Sequence, residues 1–284
     1  GAKIILGPVR AQSANAVGVA VSGRNVNVLS FSNSSSIAGG NVFVLGPTFE
    51  NTADRLVRYA AGQGLGNMMI VSEQNLGGEV GAAAIRGAAA ASGAAVVAES
   101  SYEFSQNGVV QAIPQIAEAA RNSGAQSVFF TAETSGALPL VTQLLTDNGI
   151  KPSIYKFLGL TRWDIPASTL ALPGVQSGWF AMPDPTLNQR FSSRYEAAFG
   201  SQPHPIAGLA YDGIAAIGAL VSQGKSDALT KAALTQGAGF VGVNGIFRLL
   251  PNGTNERGLA VAEIRDNQVF VIDPAPRHFG GAGF

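Results

Sequence analysis

Residues 26–36, VNVLSFSNSSS, decide the fold and the candidate site of this chain. The aliphatic residues of VNVL predict a buried β-strand. A polar run follows at once, in which Ser32, Asn33 and Ser34 offer hydroxyl, amide and backbone N–H groups. Because ligands of open α/β sheets bind beyond the carboxyl ends of the strands, this run is a candidate ligand site. A serine-rich turn that caps a following helix is the structural alternative.

The segments on either side of this strand predict a parallel sheet. Residues 3–6 (KIIL) and 42–45 (VFVL) predict two more strands, and residues 11–21 predict a helix between the first strand and the second. From residue 50 to residue 158 the predicted helices and strands continue to alternate, and a further strand at residues 178–181 is followed by three predicted helices at residues 187–199, 206–221 and 227–235. Strand–helix–strand units of this kind build α/β sheets. After residue 245 strands alone are predicted, with a hairpin turn at Asp266 and Asn267.

Proline-containing breaks interrupt this pattern at residues 46–48, 182–185 and 251–253. Three breaks are what two lobes joined by three crossover strands would produce. We therefore predict a first lobe of residues 1–47 and 183–246, and a second lobe of residues 48–182 and 247–284. The first lobe is short, so we expect it to lack its N-terminal strands or to pair with a separate polypeptide that supplies them. The three crossovers are expected to act as a hinge.

Composition excludes several classes of function. The chain of 284 residues has 18 basic and 18 acidic side chains, so its formal net charge is zero. No basic patch indicates nucleic-acid binding or an anionic membrane surface, and no apolar run is long enough to span a membrane. The absence of cysteine excludes disulfides, thiolate nucleophiles and cysteine-ligated metals. His204 and His278 have no partner at ligand spacing, so no metal or other cofactor is expected.

Short motifs do not indicate an enzyme. Residues 237–242 (GAGFVG) match a dinucleotide fingerprint in letters, but a helix precedes them and a strand follows, so we predict a loop. Residues 222–225 (SQGK) match the S-x-x-K pattern of penicillin-recognising enzymes, whose other elements are absent. No nucleophile–base pair or metal set remains.

Several carboxylates lie at or just beyond predicted strand ends or at helix starts, where they are either acid–base candidates or helix N-caps. They are Glu73, Glu133, Asp164 and Asp212. Trp163, beside Arg162, predicts either a recognition surface or an aromatic residue at the rim of the core.

Longer motifs in a fixed order resemble a known family. The first half carries ILGP (5–8), VLSFSNSSS (28–36) and FVLGPTFENTADRL (43–56). The second half carries LGLTRWDIP (158–166), SGWFAMPDP (177–185), FSSRYEAAFGSQP (191–203), LAYDGIAAIGAL (209–220) and GIFRLLPNGTNERGLAVAEI (245–264). Together they resemble the type I periplasmic solute-binding proteins of the leucine/isoleucine/valine class, and within that class the penicillin-binding protein activators of alphaproteobacteria.

This resemblance implies two Rossmann-like lobes that close on a ligand, with a strand–helix–strand–helix unit preceding residue 1. It also implies that the Ser13 region and the serine-rich run hold a ligand carboxylate. In the second lobe Leu76 stands where the family has a tyrosine, Glu133 stands in place of another tyrosine, and Thr161, close to Asp164, falls near the position that binds the ammonium. The candidate ligand-binding residues are Ser13, Ser32, Asn33, Ser34, Glu73, Glu133, Thr161, Trp163, Asp164 and Tyr211.

The function expected from this resemblance is non-catalytic binding of a small polar ligand, an amino acid or a related compound, as for ABC-type uptake. The expected partners are that ligand and an ABC transporter permease, and the expected location is the periplasm, with a lipid anchor on a missing N-terminus. The alternative is a regulator that contacts a peptidoglycan synthase and has a vestigial cleft.

Overall fold

The alternating pattern of the sequence forms three sheets. The computed structural model of the protein describes residues 1–280, and within them it has one seven-stranded sheet and two three-stranded sheets. Parallel strands form the first small sheet and most of the large one, while the second small sheet is antiparallel. The predicted α/β class with two lobes is therefore confirmed.

The first lobe combines both small sheets. Its strands are β1 (Ile4–Leu6), β2 (Asn27–Ser30), β3 (Val42–Val44), β9 (Phe240–Gly242), β10 (Gly245–Leu249) and β11 (Asn255–Arg257). Its helices are α1 (Ala11–Val21), α6 (Pro185–Phe199), α7 (Ala207–Val221) and α8 (Lys231–Leu234). The strand orders are β1-β2-β3 and β11-β10-β9. Leu29 and Phe43 of the parallel sheet share one core with Leu220 of α7 and Phe247 of β10, so the two small sheets form one unit.

The second lobe is built on the large sheet. Its strands are β4 (Asn67–Glu73), β5 (Ala95–Tyr102), β6 (Ser127–Phe130), β7 (Lys156–Gly159), β8 (Trp179–Met182), β12 (Ala260–Arg265) and β13 (Gln268–Asp273). Its helices are α2 (Phe49–Gly62), α3 (Leu76–Ser92), α4 (Gln106–Asn122) and α5 (Leu138–Asp147). The order is β13-β12-β8-β7-β6-β4-β5. Side chains of α2 and α3 bury one face of the sheet and those of α4 and α5 bury the other.

The local predictions succeed where the sequence signal is strong. Helix α1 has the predicted bounds, and the predicted hairpin turns at Asp266 and Asn267, whose φ values of 49° and 61° are those of a type I′ turn. The sequence does not predict strands β9 (FVG) and β11 (NER), because neither has the continuous aliphatic or aromatic run that marks the equally short β1 and β3. The loop predicted for GAGFVG is wrong in part, since its last three residues are β9.

The chain passes between the sheets three times. It leaves β3 for α2 through Leu45–Thr48, leaves β8 for α6 through Pro183, and leaves β11 for β12 through Gly258. Strand β10 pairs with β9 and β11 and lies in the core of the first lobe, so the last passage follows the predicted boundary at residue 246 by about ten residues. The division of the chain into two lobes that move as rigid bodies stays a prediction. Residues 281–284 of the predicted second lobe lie outside the described residues.

Buried side chains bind the first passage to the third. Asn255 Nδ2 donates to the carbonyl oxygens of Val44 and Gly46, at 2.7 and 2.9 Å, and its own carbonyl accepts from Asn51 Nδ2 at 2.9 Å. Arg257 Nη2 donates to the carbonyl of Leu45 between them. Three successive carbonyls, those of the last residue of β3 and of the two residues after it, are thus satisfied by two side chains of β11.

We predict that Asn255→Ala destabilises the protein by about 2 to 3 kcal/mol, because two buried carbonyls lose their donor. Urea unfolding followed by circular dichroism measures this free energy. Asn122→Ala, an exposed change at the end of α4, is the control and should change stability by less than about 0.5 kcal/mol. Equal stabilities of the two variants would contradict the role given to Asn255.

Candidate functional site

The serine-rich run forms a tight loop at the carboxyl end of β2. The Ser30 hydroxyl accepts from Ser32 N at 3.1 Å and donates to the Pro8 carbonyl at 3.0 Å, while the Ser32 hydroxyl accepts from Ser34 N at 3.1 Å. A Cβ on Gly46 would lie 2.4 Å from the Ser32 carbonyl oxygen, so only glycine allows this close approach. The serine-rich turn of the structural alternative is therefore confirmed and positions Ser32 and Asn33 at the strand end, but no side chain of the run caps the short 3-10 helix Ser35–Ile37 that follows.

A cavity of about 530 Å³ lies at this strand end, between the loop and the second lobe. The loop after β2 contributes Ser32 and Asn33, the loop after β7 contributes Arg162, and β11 contributes Arg257. Its other polar lining includes Asn188, His204 and Asn244, and its apolar walls include Val9, Phe31, Ile165, Phe191, Leu209 and Leu259. Side chains from both lobes therefore converge on one cavity, whose size is typical of small-molecule sites.

The two arginines of the cavity differ in their partners. Arg162 Nε donates to Asp164 Oδ1 at 2.6 Å, and Nη2 binds Oδ2 of the same carboxylate, so its charge is neutralised by a bidentate ion pair. Arg257 is 93% buried, at 7% exposure, and its Nε has no hydrogen-bond partner among the described residues. Burial lowers the pKa of Arg257 to about 10, against the opposing effect of the Asp212 charge, so the guanidinium stays protonated at neutral pH.

Asp212 is buried and its charge interacts with that of Arg257, but it does not line the cavity. Its Oδ1 accepts from Val243 N at 2.6 Å, and its Oδ2 has no partner among the described residues. Burial raises the pKa of Asp212 to about 6, and the hydrogen bond from Val243 and the charge of Arg257 limit the rise. The carboxylate considered as a helix N-cap instead lies within α7, where it fixes the turn between β9 and β10.

Comparison with known proteins identifies the family. The sequence profile of the family described as "Periplasmic binding protein" matches residues 1–268. The chain belongs to the periplasmic binding proteins. No protein of curated function matches it by sequence.

Solved structures with the same fold have low sequence identity to the chain. A branched-chain amino acid ABC transporter periplasmic ligand-binding protein from Burkholderia xenovorans is 18% identical, with a TM-score of 0.73, over 98% of this chain and 79% of that one. An ABC transporter substrate-binding protein from Desulfitobacterium hafniense, in complex with leucine, is 18% identical, with a TM-score of 0.70, over 95% and 80%. A solute-binding protein from Rhodopseudomonas palustris, in complex with 3,4-dihydroxybenzoic acid, is 17% identical, with a TM-score of 0.65, over 97% and 80%. These similarities establish the type I fold. None of the comparisons bears on the penicillin-binding protein activator branch, which stays a prediction.

Of the ten candidate residues, Ser32 and Asn33 line the cavity of this periplasmic binding protein. Three others lie near it without lining it: Ser34, whose hydroxyl is 2.8 Å from that of Ser36; Thr161, whose hydroxyl donates to Ala132; and Asp164, which is held by Arg162. Ser13 and Glu133 are exposed outside the cavity. The ligand-binding roles of Ser32 and Asn33 stay predictions.

Trp163 is placed differently from the expected recognition surface. Its side chain is fully buried in the core of the second lobe. A Cβ on Gly159 or on Gly178 would lie 2.3 Å from the indole, so the two glycines form the slot that accepts the ring. The side chain is therefore closed off from a ligand, and it does not line the cavity.

Glu73 and Tyr211 also lie away from the cavity. Glu73 is buried at the end of β4, where it accepts from Tyr102 Oη at 3.3 Å and from Asn75 Nδ2 at 3.0 Å. Burial raises the pKa of the Tyr102 hydroxyl well above its ordinary value, and the charge of Glu73 and its hydrogen bond to Tyr102 add to the rise. Tyr211 is half exposed and packs on Phe191, with ring centroids 5.5 Å apart. Tyr211 therefore lies on a neighbouring surface and does not line the cavity.

Sequence reasoning missed Asn188, Asn244 and Arg257, all of which line the cavity. Asn188 Nδ2 donates to Asn244 Oδ1 at 2.9 Å, so α6 and the β9–β10 turn present one joined amide pair. None of the three follows a predicted parallel strand or belongs to a recognised short motif, and no spacing pattern connects them. Within residues 1–280 no helix is long and apolar enough to cross a membrane, and the same part of the chain has no cluster of three or more His, Asp or Glu side chains that could hold a metal ion.

We predict a specific pH dependence of stability from Asp212. Because its folded pKa is raised from 3.8 to about 6, the stability that it contributes is complete below about pH 4 and is lost as the pH rises through about 6. The change should be about 3 kcal/mol at 1.36 kcal/mol per pKa unit. Asp212→Asn, which keeps an acceptor for Val243 N, should remove this part of the pH dependence.

The measurement is the urea unfolding free energy of the protein and the variant between pH 4 and pH 8. Only the difference in slope is compared, because other carboxylates titrate in both proteins. Asp227→Asn, an exposed substitution after α7, is the control and should leave the slope unchanged. A wild-type slope in Asp212→Asn would show that the carboxylate is not the cause.

Proposed function

We propose that this periplasmic binding protein is the extracytoplasmic ligand-binding component of an ABC-type uptake system. The observation that carries the proposal is the cavity lined by Ser32 and Asn33 from one lobe and by Arg162 from the other. A ligand held by both lobes favours their closed arrangement, which is how a binding protein can report its loaded state to a permease.

The ligand class that we propose is a small carboxylic acid, an amino acid or a related compound. The hydroxyl of Ser32 and the amide of Asn33 can bind carboxylate oxygens, and Arg257 supplies a positive charge. The related structures with leucine and with 3,4-dihydroxybenzoic acid support this class, since both ligands are small carboxylic acids. The cavity volume of about 530 Å³ accommodates either size.

A thermal-shift panel of amino acids and small organic acids tests the binding function. A compound at 100 times its dissociation constant stabilises the folded state by roughly 2.7 kcal/mol, which should raise the melting temperature by about 5 °C or more. Asn33→Ala should reduce the shift, because the residue lines the cavity, whereas Glu133→Ala, outside it, is the matched control. A panel in which no compound shifts the wild-type protein would contradict ligand binding and favour the regulator of a peptidoglycan synthase.

Lobe closure gives an independent prediction. The ligand identified by the panel should decrease the radius of gyration measured by small-angle X-ray scattering, because the lobes rotate about the three passages. Asn33→Ala at the same ligand concentration should show a smaller decrease. A binding-induced thermal shift with an unchanged scattering curve would mean that the cavity binds without closure.

A further inference from the structure

Arg257 places a buried positive charge beside the cavity, and the charge of Asp212 acts on it only from beyond ion-pair distance. Arg257 is buried and protonated at neutral pH, its Nη2 donates to a backbone carbonyl, and its Nε has no partner among the described residues. No carboxylate lies within ion-pair distance of it among residues 1–280. A buried charge without a paired anion is costly, so an anionic group that reaches Arg257 gains a charge-assisted hydrogen bond and relieves that cost.

The same cavity offers no anion to a cationic group. Within residues 1–280 no Asp or Glu side chain lines it. Asp164, the nearest candidate in sequence for an ammonium partner, has both oxygens bound to Arg162, and Glu133 is exposed elsewhere. An ammonium group transferred from water into this cavity would lose its hydration without gaining a paired charge.

Beside these groups and the uncharged polar side chains already described, the cavity has extensive apolar and aromatic walls. Phe31, Phe191, Leu209 and Leu259 form walls around the polar groups. Leu259 follows Arg257 by two residues, so the charge and an apolar wall belong to the same segment of chain. A ligand that suits this lining has one anionic head and an apolar body.

We infer that Arg257 is the anchor for the carboxylate of a ligand without an amino group, an aliphatic or aromatic monocarboxylic acid. This inference rests on the proposed binding function and narrows its ligand class. Ser32 and Asn33 complete the carboxylate site from the first lobe, and the apolar walls hold the body of the acid.

Pairs of ligands that differ in one group test this specificity by isothermal titration calorimetry. The first pair is 4-methylpentanoate and leucine, and the second is 3-phenylpropanoate and phenylalanine. We expect each acid to bind at least about tenfold more tightly than its amino acid, because no anionic side chain of the described lining pairs with the ammonium. The neutral amide 4-methylpentanamide should bind at least about tenfold more weakly than 4-methylpentanoate, because it carries no charge for Arg257.

Substitution of the anchor tests its identity. Arg257→Gln should weaken binding of the acids at least about tenfold, whereas Arg248→Gln, on the neighbouring strand and paired with Glu256 outside the cavity, should leave it unchanged. Circular dichroism checks that each variant is folded. Arg257→Lys, which keeps the charge, should retain the preference for acids. This variant provides the test if Arg257→Gln does not fold.

The outcomes separate this inference from the proposed function. Tighter binding of the amino acids, or unchanged binding of acids by folded Arg257→Gln, would overturn the inference and leave the binding function intact. Binding of none of these probes, nor of the wider panel, by the wild-type protein would overturn both. If no variant of Arg257 folds, the comparison of acids with amino acids on the wild-type protein decides the question alone.

Discussion

The hydrogen bonds from Asn255 and Arg257 to the carbonyls of Val44, Leu45 and Gly46 are the constraint on which the rest of the structure depends. They hold the first passage between the lobes against β11, from which the third passage starts. Backbone groups that leave a sheet without entering another element need partners, and here buried side chains provide them. The serine-rich loop, the first passage and the cavity wall all meet at this point.

Arg257 has an electrostatic effect on the cavity in addition to its structural hydrogen bond. Arg257 contributes one nitrogen to the passage, and its charge remains beside the cavity, where it also acts on Asp212. A guanidinium has five N–H donors in a fixed plane, so one hydrogen bond to a carbonyl leaves most of its donors unused. The connection between the lobes and the electrostatics of the site are therefore properties of one side chain.

The cavity is shaped as much by small residues as by large ones. Gly46 allows the serine-rich loop to approach the first passage, and Gly159 and Gly178 accept the ring of Trp163 under the loop that carries Arg162. A tryptophan beside an arginine after a strand is compatible with a recognition surface or with the core. The glycines that decide between the two lie up to 15 residues away in sequence, and nothing in the local pattern connects them to the ring.

The sequence by itself determined the alternation of strands and helices, the α/β class, the helix bounds near α1 and the turn at Asp266 and Asn267, because periodicity and turn preference act over a few residues. It also located Ser32 and Asn33, since ligands meet the carboxyl ends of parallel strands. Only the tertiary structure decided that β10 belongs with the first lobe, that Trp163 is buried, and that Arg257 lies beside the cavity without an ion-pair partner. The physical reason is that burial and charge pairing depend on segments that meet only in the folded chain, as β11 meets the end of β3 about 210 residues away in sequence.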